Sequence, residues 1–346
     1  MKIGVLGASG RAGKGALEVL KKNHCDILAG CRNVEKVNDV EAMMVDVFDT
    51  ELLADFISRC DFIINCAGPA YLIGDTVAVS CTQAGKPFVD VAGNDSMVDK
   101  VKDSCENRGK ILLSAGVYPG LAELFFKMAA EMARSSPLKT EEIFFDYSEL
   151  SENALLDIKE SLDSGGGEGF AYWKNSALRS IDCQVKEKVV LNNEKTVYLL
   201  PMFYKEYQKA CEEINPQKAI FYQGFNEAKD IEKLIQLKNV KSENEDSKNK
   251  LKNVFSRKDC DNGFLILLDL SLDKNDLIRF QMESSFDSAF MSGAVAAMIF
   301  LTNLEEIKEG VHFASELKDV KSIIKGLKEM ELITVKKFRK RNGNGN

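Results

Sequence analysis

The chain has little of what metal and hydrolytic sites are usually built from: 2 His and 1 Trp in 346 residues, with 6 Pro. Its 9 Cys are an odd number, and no two of them form a C-x-x-C pair. This speaks against a zinc knuckle and a disulfide framework, so no metal is expected and reduced thiols point to the cytoplasm. The start, MKIGVLGASG, lacks the basic stretch and long apolar run of a secretory leader, so no targeting segment is expected. Long apolar runs are also missing. Ala294 to Leu301 falls far short of the roughly 18 to 20 residues of a membrane span and reads as a buried helix. Positive charge is in deficit, 46 Lys+Arg against 53 Asp+Glu, for a net charge of −7. Nucleic acid and anionic membrane are therefore not expected partners, whereas a small molecule is.

What is present is an ordinary core-forming composition, 45% hydrophobic and 29% charged, over a length that suggests two domains at about 150 residues each. Lys2 to Leu6 is a short apolar run that ends in GASGRAG, after which Ala16, Leu17, Val19 and Leu20 recur at helical spacing. The rhythm of strand, turn and helix repeats through Cys25 to Cys31, MMVDV at Met43 to Val47, a helix over Thr50 to Ser58 and DFIIN at Asp61 to Asn65. It goes on through a helix near Asp75 to Ala84, strand PFVDV, a helix near Ser96 to Asn107 and strand KILLSAG. Six strands alternating with helices predict a doubly wound parallel sheet.

After Val117 to Leu121 the pattern changes. A long helix to Ala133, a strand at Glu142 to Tyr147, a helix near Asn153 to Leu162 and a glycine run at 165–167 open a second domain. Two hairpins are expected there, Cys183 to Leu191 with Thr196 to Leu200 and Gly263 to Leu272 with Leu277 to Ser285. The predicted class is therefore α/β with a second α+β domain containing a largely antiparallel sheet. Val240 to Asn262 is rich in Lys, Glu, Asn, Asp and Ser and reads as a solvated helix or insertion. Lys336 to Arg341 reads as a solvated basic tail before the Asn-Gly end.

A glycine turn between a first strand and a first helix lets backbone N–H groups approach a pyrophosphate at the helix N-terminus. Gly7, Gly10 and Gly13 stand at that place, with Ser9 and Arg11 between them. Their GxxGxxG spacing differs by one residue from the dinucleotide fingerprint GxGxxG. Its position after the first strand, in an alternating series, makes a dinucleotide site the expected reading, with a purely structural turn as the alternative. The second strand ends in Gly30-Cys31-Arg32-Asn33, where NAD sites usually carry an acid for the ribose 2′-hydroxyl. With Arg32 there instead and Lys36 nearby, NADP(H) is the expected cofactor, with Asn33 beside it.

In such sheets the ligand lies beyond the carboxyl ends of the strands. The later turns read Asn65-Cys66-Ala67-Gly68-Pro69, Asp90-Val91-Ala92-Gly93-Asn94-Asp95 and Gly116-Val117-Tyr118-Pro119-Gly120-Leu121. Cys66, Ala67 and Gly68 are expected beside the cofactor, with Cys66 a small buried residue more than a reactive thiol. Tyr118 and Asp90 are the candidate catalytic groups, and Asn94 a candidate for the substrate. Asp90 has a second reading, as a group that bonds neighbouring backbone. Trp173, beside Phe170 and Tyr172, either lines a substrate pocket or packs in the core. Arg179 and Arg279 are candidates to hold a substrate carboxylate by paired hydrogen bonds.

The glycine turn, NCAGP, VDVAGND and GVYPGL, in this order and spacing, resemble the saccharopine dehydrogenase or reductase family, and EGVHFASEL is similar to its C-terminal part. The resemblance covers about the first third of the chain. It implies an NADP-binding Rossmann domain, residues 1–121 with 288–346, interrupted by a substrate and dimerisation domain at 122–287. Hydride transfer at a C–N bond and a homodimer are implied with it, and the substrate is not fixed. None of the 8 Tyr has Lys four residues on, so the proton-donating pair of short-chain dehydrogenases is absent. Neither His24 nor His312 stands out as an acid. An iminium ion already carries its proton and needs only hydride, which favours reduction of C=N in an amino-acid-derived or secondary-metabolite substrate. The rival is a catalytically silent NADP(H)-binding sensor or scaffold.

Overall fold

The computed structural model describes residues 1–93, 95–105, 108–148, 157, 170–181, 186–190, 195–237 and 262–341. The expected helix near 153–162, the glycine run, most of the polar segment 240–262 and the Asn-Gly end lie outside the described residues. The chain divides into two compact units, Met1–Leu121 with Ser288–Leu327 and Ala122–Asp287 with Lys328–Asn346.

The first unit is an α/β unit with the Rossmann strand order. Strands β1 (Lys2–Leu6), β2 (Asp26–Cys31), β3 (Glu41–Met44), β4 (Phe62–Asn65), β5 (Phe88–Asp90) and β6 (Lys110–Leu113) lie in the order 6-5-4-1-2-3, all parallel. The central strands are apolar on both faces because helices cover both, as in β4, where all four residues are buried. Helices α1 (Arg11–Lys22), α2 (Thr50–Ser58), α3 (Ala70–Ile73), α4 (Thr76–Gln83) and α5 (Asp95–Cys105) make the crossovers. The start of α2 is fixed by Asp49, whose carboxylate accepts from the N–H groups of Glu51 and Leu52 at 3.1 Å. Phe56, Ile57, Ile63, Val77, Phe88 and Val98 form the core on one face.

In the second unit α6 (Leu121–Ala133) is followed by β7 (Lys139–Asp146), β8 (Ala171–Lys174), β9 (Ala177–Ser180), β10 (Lys186–Val190), β11 (Lys195–Pro201), α7 (Lys205–Ile214), β12 (Lys218–Phe225), α8 (Ala228–Leu237), β13 (Phe264–Ser271) and β14 (Asp276–Ser284). Its sheet is antiparallel except where β12 runs parallel to β7. The two hairpins form as the sequence predicts, β10 with β11 and β13 with β14, while β8–β9 and β12 are additions to the sequence reading. Phe221 is the centre of the covered face: Phe126 of α6 meets it at 5.6 Å and Tyr207 of α7 stacks on it at 3.7 Å.

The chain then returns to the first unit through α9 (Ser288–Asn303), β15 (Gly310–Phe313) and α10 (Val320–Glu329). Strand β15 joins β6 in parallel as a seventh strand, one more than the sequence predicts. With the turn after it, α9 spans 19 residues at a mean hydropathy of 1.3, long and apolar enough to cross a membrane by length and composition. Here it is a core helix, with Met291, Ala294, Val295 and Ile299 fully buried.

The end of the chain corrects the sequence reading. Residues 334–341 are not a solvated tail of the first unit but β16 (Thr334–Arg341), paired antiparallel with β14 along its whole length in the second unit. The basic side chains that suggested a tail have partners on β14. Lys336 meets Glu283 at 3.6 Å, Arg339 bonds Asp276, and Lys337 lies 5.2 Å from the Phe280 ring centre.

Candidate functional site

The first unit builds a cradle at the end of β1. Gly7 turns the chain with φ +71°, Gly10 N–H bonds back to Gly7 O at 2.9 Å, and Ala8 N–H bonds Gly30 O at 3.2 Å. The three glycines have different duties. A Cβ on Gly7 would lie 2.6 Å from the backbone of Cys66 and Ala67, and one on Gly13 would lie 2.3 Å from Gly7 O. Both are therefore needed for the turn to close on its neighbours. A Cβ on Gly10 meets only Gly7 O, at 3.2 Å, and otherwise faces open space.

That open space lies at the N-terminus of α1, where Gly10 is the cap, no side chain bonds the first turn and no acid stands in it. Backbone N–H groups and the positive end of the helix dipole are left to an anion there. The residues thus fit the pyrophosphate of a dinucleotide. Ser9 is half-buried and Arg11 exposed beside this turn. At the end of β2, Arg32 is exposed and no carboxylate occupies the strand end. Asn33 is partly committed: its Oδ1 accepts from Glu35 N–H at 3.1 Å and caps the short turn Val34–Lys36.

The turns after β4 and β5 are joined by two buried side chains, Asn65 and Asp90, each 1% exposed. Asn65 Nδ2 donates to Asp90 Oδ2 at 2.8 Å, and Asn65 Oδ1 accepts from Ala67 N–H at 3.1 Å. Asp90 Oδ1 accepts from Ala92 N–H at 2.8 Å. Of the two sequence readings of Asp90, the geometry matches the one that bonds neighbouring backbone. Asn65 had no role assigned from sequence, although a polar residue closing the apolar strand FIIN is the signal that marks it. Cys66 is half-buried, and burial first and the Asp90 charge second push its thiol pKa up, which disfavours the thiolate.

The turn after β6 carries Tyr118, half-buried, between Val117 and Pro119. Val117 N–H bonds Ser292 Oγ of α9 at 3.1 Å, and Leu121 N–H bonds Gly116 O at 2.9 Å. Asn94 lies outside the described residues.

The remaining candidates belong to the second unit. Trp173 on β8 is 4% exposed and is a core residue of its sheet. Arg179 on β9 is exposed. Arg279 is corrected: its Nε and Nη2 bond the two oxygens of Asp269 at 2.7 and 2.8 Å, because the two residues are directly opposite on β14 and β13. Burial raises the Asp269 pKa, and the Arg279 bonds with the Lys188 charge outweigh it and hold the carboxyl below its usual range. A guanidinium held this way is not offered to a substrate. His312 in β15 bonds Glu309 O at 3.0 Å and Glu316 at 3.3 Å, and His24 is exposed at φ 54° after α1.

Residues 3–113 match the family model described as the saccharopine dehydrogenase NADP binding domain. The chain is 32% identical over 118 residues to the uncharacterized protein YwnB of Bacillus subtilis (strain 168), covering 34% of this chain and 48% of that protein. It is 26% identical over 82 residues to a probable mitochondrial saccharopine dehydrogenase-like oxidoreductase of Arabidopsis thaliana, covering 22% of this chain and 18% of that one. These matches thus span less than half the length of either relative. The apo structure of saccharopine dehydrogenase (L-Glu forming) from Saccharomyces cerevisiae is similar in fold, with a TM-score of 0.70 at 12% identity over 98% of this chain and 99% of that one.

Proposed function

We propose, from a chain whose N-terminal part belongs to the saccharopine dehydrogenase NADP-binding domain family, that the protein is an NADP(H)-dependent oxidoreductase acting on the C=N bond of a small amino-acid-derived substrate. The observation that carries the proposal is the cradle itself. Gly10 opens onto the uncapped N-terminus of α1. The neighbouring strand ends in Arg32, with no carboxylate there to repel a 2′-phosphate. Gly7, Gly10 and Gly13 would form the turn that holds the pyrophosphate. Arg32, with Lys36 near it and Ser9 and Arg11 as second partners, would hold the 2′-phosphate, and the backbone of Cys66, Ala67 and Gly68 would border the dinucleotide.

NADPH, when bound, would supply the hydride that reduces an iminium carbon to an amine carbon. The acceptor already carries its proton, so the chain need not provide a dedicated acid. That fits a site in which Asp90 is occupied by backbone and the Cys66 thiol stays neutral. Tyr118 is kept as the candidate catalytic side chain of the strand-end turns, acting on the substrate. Arg179 and Asn94 are secondary candidates.

The test is a titration of NADPH and NADH into the protein, followed by a panel of cyclic imines and of amine plus keto-acid mixtures read by NADPH consumption. Tight, NADPH-selective binding and substrate-dependent oxidation that falls in Tyr118→Phe at unchanged NADPH affinity are expected. NADH preference would overturn the cofactor reading. Tight NADPH binding with no turnover over a wide panel would turn the reading to a cofactor-binding sensor.

A further inference from the structure

We infer that Asn65 and Asp90 form a reciprocal amide–carboxylate lock that sets the floor of the dinucleotide cradle, and that Asp90 is a positioning residue and not an acid. The inference rests on the cofactor reading above and goes beyond it by assigning these two side chains.

Three features carry it. The first is reciprocity: the amide of Asn65 uses its N–H on Asp90 Oδ2 and its oxygen on Ala67 N–H, while the carboxylate uses its other oxygen on Ala92 N–H. A flipped Asn65 amide would set its NH₂ against the Ala67 N–H and its oxygen against the carboxylate, so only one orientation satisfies all three bonds. The second is burial, at 1% exposure for each, where a lost partner is costly.

The third is what the lock holds. Ala67 is the residue whose backbone nitrogen would lie 2.6 Å from a Cβ on Gly7, so the position of its N–H determines how closely the β4 turn closes on the glycine turn. On the far side, Asp90 O accepts from Ala115 N–H and Ala92 O from Ser114 N–H, both at 2.9 Å, which ties in the turn after β6. The pair of side chains thus links the ends of β4 and β5, and backbone bonds carry the connection on to the turn after β6. A shift of the β4 turn moves the wall against which the cofactor would lie.

The experiment is an exchange of the two side chains. Asn65→Asp alone sets two carboxylates against each other, and Asp90→Asn alone sets an NH₂ group against either the Asn65 NH₂ or the Ala92 N–H. Each single variant should weaken NADPH binding by about ten- to a hundredfold, the scale of a lost charge-assisted bond. The double variant Asn65→Asp/Asp90→Asn restores a complementary pair and should recover most of that affinity, and turnover with it. If the double variant binds no better than the singles, the lock is wrong. If it recovers NADPH affinity but no turnover, Asp90 acts as an acid and the positioning role is overturned.

Amide hydrogen exchange of the cofactor-free wild type covers the case in which single variants fail to fold. The Ala67 and Ala92 amides should be strongly protected, and free exchange at either would overturn the lock. Because this readout needs no cofactor, a wild type that binds no NADPH would remove the functional reading while exchange still decides the lock.

Discussion

Gly15 of α1 and Phe290 of α9 approach so closely that a Cβ on Gly15 would lie 1.8 Å from the Phe290 carbonyl oxygen. The contact is repeated one turn on, where a Cβ on Gly293 would lie 1.7 Å from Ala12 O. The two helices therefore touch backbone to backbone just behind the glycine turn. Gly15→Ala or Gly293→Ala should push them apart and lower stability by about 1–3 kcal/mol or more, the scale of overpacking. Thermal unfolding would show it as a fall in Tm, with weaker NADPH binding as a secondary effect. An unchanged Tm in both variants would mean that the helices do not approach in this way.

Arg32→Ala should weaken NADPH binding by roughly ten- to a hundredfold, because a hydrogen bond to a charged group contributes about 1.5–3 kcal/mol. Binding of NADH, which lacks the 2′-phosphate, should change little. Titrations of both cofactors into both proteins test this, and an equal loss for the two would remove Arg32 from the 2′-phosphate site.

The first unit was legible in the sequence because its signals are local. Each buried strand is a short apolar run, each turn carries glycine or an acid such as Asp49, and the spacing of Ala16, Leu17, Val19 and Leu20 fixes a helix face. Longer-range matters were not. Lys336 to Arg341 has the composition of a solvated tail, and only the acids Asp276 and Glu283 on a strand some sixty residues earlier make it an edge strand. Arg279 looked free for a substrate because nothing in sequence says that Asp269 lies directly across the hairpin. The Asn65–Asp90 pair was half visible: the residues stand out in their turns, but their mutual bond depends on β4 and β5 being neighbours.

The Arg279 pair gives a prediction that separates stability from substrate binding. Arg279→Ala should cost about 1 kcal/mol at most, because the arginine is partly exposed and Lys188 still reaches Asp269 at 3.4 Å. Substrate KM, once a substrate is known, should stay at the wild-type value. A large rise in KM with unchanged Tm would return Arg279 to the substrate.

Glu142 gives a pH dependence to the second unit. It is 1% exposed, accepts a bond from Tyr207 at Oε1, and has no partner at Oε2 among the described residues. Burial raises its pKa well above the ordinary value; the Tyr207 bond opposes this, and the nearby Glu123 charge adds to it. The folded protein thus keeps a proton that the unfolded chain releases, so the contribution of Glu142 is intact below the unfolded pKa and is lost as pH rises through the folded one. Glu142→Gln removes this loss. Relative to wild type it should gain stability from mildly acidic toward alkaline pH, by at most about 1.4 kcal/mol per pH unit. Urea unfolding of both proteins at several pH values measures the difference, and parallel curves would show that Glu142 ionises normally.

The last prediction separates a glycine that shapes the cradle from one that leaves room in it. Gly13→Val should unfold or strongly destabilise the first unit, since even a Cβ there falls 2.3 Å from Gly7 O and 2.5 Å from Ala8 Cα. Gly10→Val should behave differently. Gly10 has φ −79° and ψ 173°, an extended conformation that valine adopts readily, and a Cβ there meets only Gly7 O at 3.2 Å. The protein should fold with nearly the wild-type Tm, while the valine methyls fill the space in front of the first turn of α1. Loss of both NADPH and NADH binding at near-normal Tm, followed by cofactor fluorescence and thermal unfolding, is the expected pair of results. Should Gly10→Val bind cofactor at full strength, the phosphates lie elsewhere, and the open face of this turn would no longer support the oxidoreductase reading.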